Sequence, residues 1–151
     1  MEARFVLALL LIALGMLAYR GLRIYGLRRA ARAAPDHLPG YQRGRPAILY
    51  FTSPTCQPCR TTQRPVLERV RRRFGERLQM LEVDASRQTR LADAWGVLAL
   101  PTTFVIDAQG RPRGVNHGVA SESRLVHQLA AMGETEAERS SLAIRQLEEE
   151  E

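Results

Sequence analysis

Hydrophobic positions along the chain follow three successive patterns. The first is continuous: from Phe5 to Tyr19 no charged residue interrupts an apolar run. Fifteen helical residues span about 22 Å, short of a hydrocarbon core of roughly 30 Å. Extending through Gly21, Leu22, Ile24, Tyr25 and Leu27 makes up the length, with Arg20 and Arg23 snorkelling toward the headgroups. The run therefore predicts a single N-terminal transmembrane helix. A cleaved signal peptide fits less well, because Glu2 offsets Arg4 and no small-x-small site precedes the arginines. A buried core helix would show a polar face, and these positions show none.

The second pattern is a gap. Residues 33–46 hold three prolines and two glycines and read as a spacer with no regular element. The third pattern begins at Ala47 and changes period repeatedly. Ala47–Phe51 is a short apolar run between Pro46 and Ser53-Pro54, as expected of a buried strand. From Cys59 to about Phe74, Val66, Leu67, Val70 and Phe74 recur at helical spacing. Leu78 to Val83 predicts a second strand ending at Asp84. Ser86 to Trp95 predicts a helix with Ser86 as N-cap, and Trp95 belongs to the core. Thr102–Ile106 is β-branched and aromatic, and Asp107-Ala-Gln-Gly110 is a turn into a strand near Val115. Ser121 opens a last helix with Leu125, Val126 and Leu129 on one face. The order β-α-β-α-β-β-α predicts an α/β domain, a mixed sheet with helices on both faces. The chain divides into an anchor with basic flank (1–32), a linker (33–46), a folded domain (47–133) and an acidic tail (134–151).

Charge sharpens that division. The net charge is +6, and every one of the 22 basic residues is arginine. Without lysine, Schiff-base and phosphate-loop chemistry are excluded. Residues 1–35 carry six Arg and one Glu, whereas residues 134–151 carry two Arg and seven Glu. The tail reads as a solvating, frayed segment with Ser140–Leu147 as its candidate short helix. Arg20, Arg23, Arg28, Arg29 and Arg32 follow the apolar run, so the positive-inside rule places the following domain in the cytoplasm; an extracytoplasmic or periplasmic placement is the alternative. Arg69, Arg71, Arg72, Arg73 and Arg77 read as a solvated helix face, with docking to an acidic partner or anionic membrane as the rival. No aromatic interleaving or recognition motif accompanies them, so no nucleic-acid partner is expected.

Two cysteines exclude a disulfide-dense scaffold and an intrachain Cys₄ zinc site. They stand as Cys56-Gln57-Pro58-Cys59 where the first strand hands over to the first helix. A helix start presents free N–H groups and a positive dipole end, which favour thiolate over thiol. Two intervening residues bring the sulfurs within disulfide reach, and Pro58 suits a first-turn position. Cys56 would be the exposed nucleophile and Cys59, one turn in, the resolving thiol. Zinc would need two further soft ligands, and His37, His117 and His127 lack ligand spacing. Haem attachment needs His after the second Cys, where Arg60 stands. No metal site and no cofactor beyond the cysteine pair are expected.

Between about Pro46 and Met132 the chain resembles the thioredoxin superfamily. The Ala47–Phe51 strand, Cys56 and Cys59, and Trp95-Gly96-Val97-Leu98-Ala99-Leu100-Pro101-Thr102 carry the likeness, with Gly110 and Gly118 matching its turn glycines. The resemblance implies a thioredoxin-like mixed sheet and a cis-proline at Pro101 beside the cysteines. It also implies a substrate-binding segment Leu100-Pro101-Thr102, with Leu100 offering its backbone to an extended strand, and a depressed Cys56 pKa. Thr55 stands where the family has Trp, Tyr50 where it has a buried Asp, and Gln57-Pro58 where it has Gly-Pro. Thr55, Gln57, Pro58 and Tyr50 are thus the redox-tuning candidates, and Tyr50 cannot act as a carboxylate base at neutral pH. The expected protein is a membrane-tethered thiol–disulfide oxidoreductase acting on disulfide-containing proteins and recharged by an external electron donor. The rival is a non-catalytic module holding a soft ion such as Cu(I), or a partner protein.

Overall fold

A computed structural model describes residues 2–32, 38 and 40–133. The elements are α1 (Glu2–Arg32), β1 (Ala47–Thr52), α2 (Arg64–Phe74), β2 (Gln79–Asp84), α3 (Thr89–Ala94), β3 (Thr102–Ile106), β4 (Pro112–His117) and α4 over 122–133. His37 and the acidic tail at 134–151, with its Ser140–Leu147 segment, lie outside the described residues.

The strands form one mixed sheet in the order β2-β1-β3-β4. β1 pairs parallel with β2 and antiparallel with β3, and β3 pairs antiparallel with β4. Every residue of β1 and of β3 is buried, as continuous apolar runs at a sheet centre require. Alternation then divides the core. Ile48 and Tyr50 face Val66, Leu67 and Val70 of α2 and Leu125 and Leu129 of α4. Ala47, Leu49 and Phe51 face Trp95, Phe104 and Ala92 on the other side. There Trp95 meets Phe104 edge-on, with ring centroids 5.0 Å apart.

Several expectations shift. The helix expected from Cys59 begins earlier: residues 57–74 form one helical run, with a π turn at Cys59–Gln63. Pro65 has no N–H for the carbonyl four residues back, and the Arg64 N–H instead reaches Cys59 O, five residues back. α3 starts at Thr89, not Ser86, because Asp84 captures the Ser86 N–H at 2.9 Å and its hydroxyl at 2.5 Å in a side-chain turn. The composition of 33–46 conceals a core residue: Leu38 is buried under the Trp95 face. Gln79 Nε2 donates to Gln42 O and Arg45 O, and the Gln42 N–H donates to Gln79 Oε1, binding this segment to β2.

The largest change concerns the N-terminus. α1 is helical, yet among the described residues no helix is long and apolar enough to cross a membrane. The transmembrane span is therefore not found. The uncharged stretch is shorter than a hydrocarbon core, and lengthening it takes in Arg20 and Arg23. α1 nonetheless exposes a row of large apolar side chains, Leu10, Leu14 and Leu17 among them.

Candidate active site

After Thr52 the chain leaves the sheet through Ser53-Pro54-Thr55, and the Cys56 N–H donates to Ser53 O at 3.2 Å. Cys56 and Cys59 are joined in a disulfide across the first helical turn, with Cα atoms 5.3 Å apart. Their environments differ sharply. Cys56 is half-buried beside exposed Thr55, Gln57 and Pro58, whereas Cys59 is completely buried among Ile48, Val66 and Leu125. The accessible sulfur thus lies at the helix start, where the dipole favours a thiolate. The other sulfur is shielded from any bulky partner.

Tyr50 lies beneath this turn. Its hydroxyl donates to Cys59 O at 3.1 Å, an acceptor shared with the Arg64 N–H. Burial foremost pushes the phenol pKa above its ordinary value, and the Glu82 charge adds to this. Tyr50 therefore stays neutral at physiological pH and acts as a donor.

The second wall of the site is the loop before β3. The Leu100–Pro101 peptide is cis, as the resemblance implied. Pro101 and Thr102 are buried, and the Thr102 hydroxyl donates to Ala99 O at 2.7 Å, closing the loop on itself. Leu100 packs against the same core cluster as Cys56, so the two segments are brought together. The third wall is Gly118–Ala120. The Gly118 N–H donates to Pro101 O at 2.8 Å, in a left-handed conformation (φ 80°) that glycine adopts without strain.

Two features escaped the sequence reading. Gln63 is fully buried, donating to Ala120 O at 3.3 Å while the Ala120 N–H donates to its Oε1 at 2.7 Å. This reciprocal pair fastens the third wall to the π turn. Its signal was present, since Gln63 sits three and four residues before Val66 and Leu67, on the apolar stripe of the helix. The other feature is a rim. Outside α1, the large hydrophobics exposed among the described residues are Leu98, 80% exposed, and Val119, 44% exposed. Leu98 belongs to the Pro101 wall and Val119 to the Gly118 wall.

His117 and His127 are exposed at separate places. Among the described residues no three His, Cys, Asp or Glu side chains gather as a metal site would need.

Comparison with known proteins agrees with this geometry. The Thioredoxin family model matches residues 41–131. Thioredoxin Y, chloroplastic, of Oryza sativa subsp. japonica is 28% identical over 85 residues, covering 56% of this chain and 49% of that protein. The thioredoxin of Borreliella burgdorferi is 30% identical over 69 residues, covering 46% and 58%. This chain thus spans 49% and 58% of the length of these two relatives. Among solved structures, thioredoxin-2 of a malaria parasite superposes with a TM-score of 0.56 at 23% identity, covering 60% of this chain and 86% of that one. Fasciola hepatica thioredoxin gives 0.53 at 24%, covering 60% and 83%. These likenesses establish the same fold.

Proposed function

The chain belongs to the thioredoxin family, and from that premise we propose that it is a thiol–disulfide oxidoreductase, held at a membrane by α1, that reduces protein disulfides. The observation that carries the reading is the asymmetry of the disulfide, with Cys56 accessible at a helix start and Cys59 enclosed. In the reduced protein Cys56 thiolate attacks a substrate sulfur, and one substrate thiolate leaves. Cys59 thiolate then attacks Cys56 Sγ, displacing the second substrate thiolate and closing the Cys56–Cys59 disulfide. Two electrons pass to the substrate, and an external dithiol donor restores the pair. Leu100-Pro101-Thr102 receives the substrate backbone, and Leu98 and Val119 give an apolar rim to the residues flanking its cysteine. Thr55, Gln57 and Pro58 surround the nucleophile and Tyr50 supports the turn from below, so these four adjust its reactivity.

The tether rests on the uncharged Phe5–Tyr19 run and the apolar side chains that α1 leaves uncovered, each about 25 cal/mol per Å² more favourable in lipid than in water. The arginines after that run favour an anionic, cytoplasm-facing leaflet. Labelling of Cys56 in intact cells by a membrane-impermeant maleimide after reduction decides the side: protection supports the cytoplasmic face, and labelling places the domain outside.

Insulin reduction by the full chain, with dithiothreitol as donor, tests the activity. Turnover that Cys56→Ser abolishes, with Cys59→Ser trapping a mixed disulfide, is the expected result. Stoichiometric Cu(I) capture without turnover would instead identify a binding module.

A further inference from the structure

A cavity of about 280 Å³ opens between α2 and β2, with Tyr50 of β1 in its lining. Tyr50 reaches it from below, and its polar lining comes from Arg64, Glu68 and Arg71 of α2 and Glu82 of β2. Tyr50 and Glu82 are register partners on adjacent parallel strands. Tyr50 therefore touches both compartments: its hydroxyl holds Cys59 O, and its ring lines the cavity.

This arrangement answers a requirement of the chemistry. A fully buried thiol is held in its neutral form by desolvation, yet Cys59 must become a thiolate to resolve a mixed disulfide. Its proton needs an acceptor, and a neutral phenol is not one. The carboxylates facing the cavity are Glu68 and Glu82, and the cations are Arg64 and Arg71. From α4, Glu122 is engaged by Arg69 at 2.8 Å. Glu82 combines the two needed properties: it stands beside Tyr50, and half its side-chain surface meets water, with Arg64 Nη2 2.6 Å from its carboxylate.

We propose that Glu82 is the proton acceptor for Cys59, reached through water in this cavity alongside Tyr50. The Cys59 S–H proton passes to the Glu82 carboxylate, and the Cys59 electron pair forms the bond to Cys56 Sγ. The Cys56–substrate S–S bond breaks, and its electron pair leaves as substrate thiolate. Glu82, open to solvent, then releases its proton.

This inference rests on the redox reading, and one experiment separates the two. The reduced full chain is mixed with the aromatic disulfide DTNB in stopped flow. Attack by Cys56 releases one thionitrobenzoate, and resolution by Cys59 releases a second, over a series of pH values. In the wild type both phases are expected; absence of the second overturns the redox reading itself. In Glu82→Gln the first phase stays unchanged, while the second slows by about a hundredfold at neutral pH and recovers at alkaline pH. Arg64→Gln breaks the same ion pair but keeps the carboxylate, and retains a fast second phase at neutral pH. A wild-type second phase with a normal pH profile in Glu82→Gln, or equal slowing in both variants, would overturn the assignment of Glu82.

Discussion

The two ends of the sheet solve opposite problems. At the end where β1 finishes and β3 begins, a main-chain hydrogen bond joins Gly118 to Pro101, Cys56 and Leu100 pack on one apolar cluster, and Leu98 and Val119 stay uncovered. At the other end, the β3–β4 turn is closed by a charge. Asp107 is 2% exposed, and its Oδ1 accepts from the Gln109 and Arg111 N–H groups. Its Oδ2 accepts from Arg111 Nε at 3.0 Å and Arg113 Nε at 2.8 Å. Burial works against this carboxylate, yet the Arg111 backbone bond and the two guanidinium groups outweigh it and hold its pKa below the ordinary value. A buried charge served from all sides fixes one geometry. The Cys56 end instead keeps its polar groups engaged with each other and leaves apolar surface free, as the core of a protein interface does.

Breaking the closed end has the largest expected effect on stability. Asp107→Asn removes the charge that Arg111 and Arg113 face. Because both arginines are partly exposed, the cost is about 2 kcal/mol, below that of a fully enclosed pair. Urea titration checks it, with the reduction potential unmoved. The pH dependence has a definite sign. A depressed native pKa contributes stability that is present above the unfolded value of about 3.9 and is lost as pH falls through the native value. The gap between wild type and Asp107→Asn in urea midpoint therefore narrows as pH drops below about 4.

Gln63→Leu is next. It leaves the buried Ala120 N–H without its acceptor, at about 1–2 kcal/mol, and frees the Gly118–Ala120 wall. Unlike Asp107→Asn, it also raises KM for a protein disulfide while the small disulfide DTNB reacts at the wild-type rate.

Leu98→Asp tests the open end with little structural cost. An exposed side chain changes stability by no more than about 0.5 kcal/mol, yet KM for insulin rises several-fold while KM for DTNB does not. Smallest is Arg69→Gln, which loses a surface pair with Glu122 worth about 0.5 kcal/mol and leaves both ends intact. Thermal unfolding measures it.

What could be read in advance follows the same division between local and long-range causes. β1 and β3 declared themselves because both of their faces are buried, so apolarity is unbroken along each run. The Cys56–Cys59 turn and Pro101 were legible as short motifs, each carrying its chemistry in a few adjacent residues. Ser86 misled because a cap and a side-chain turn use the same residue types, and Asp84 two positions earlier decides between them. Leu38 was hidden in a proline-rich segment, since its burial depends on Trp95, far along the chain. The Tyr50–Glu82 neighbourhood was out of reach for a similar reason. It exists only once β1 and β2 pair in parallel, and no local pattern specifies that register.

The most direct test is redox equilibration of the full chain, in detergent micelles, against glutathione and dithiothreitol buffers, with the thiol state of Cys56 and Cys59 read by alkylation. A reversible two-electron transition near the thioredoxin value, about −270 mV, is the result expected of a disulfide reductant. A midpoint near about −120 mV, or a pair that stays closed in excess dithiothreitol, would contradict it.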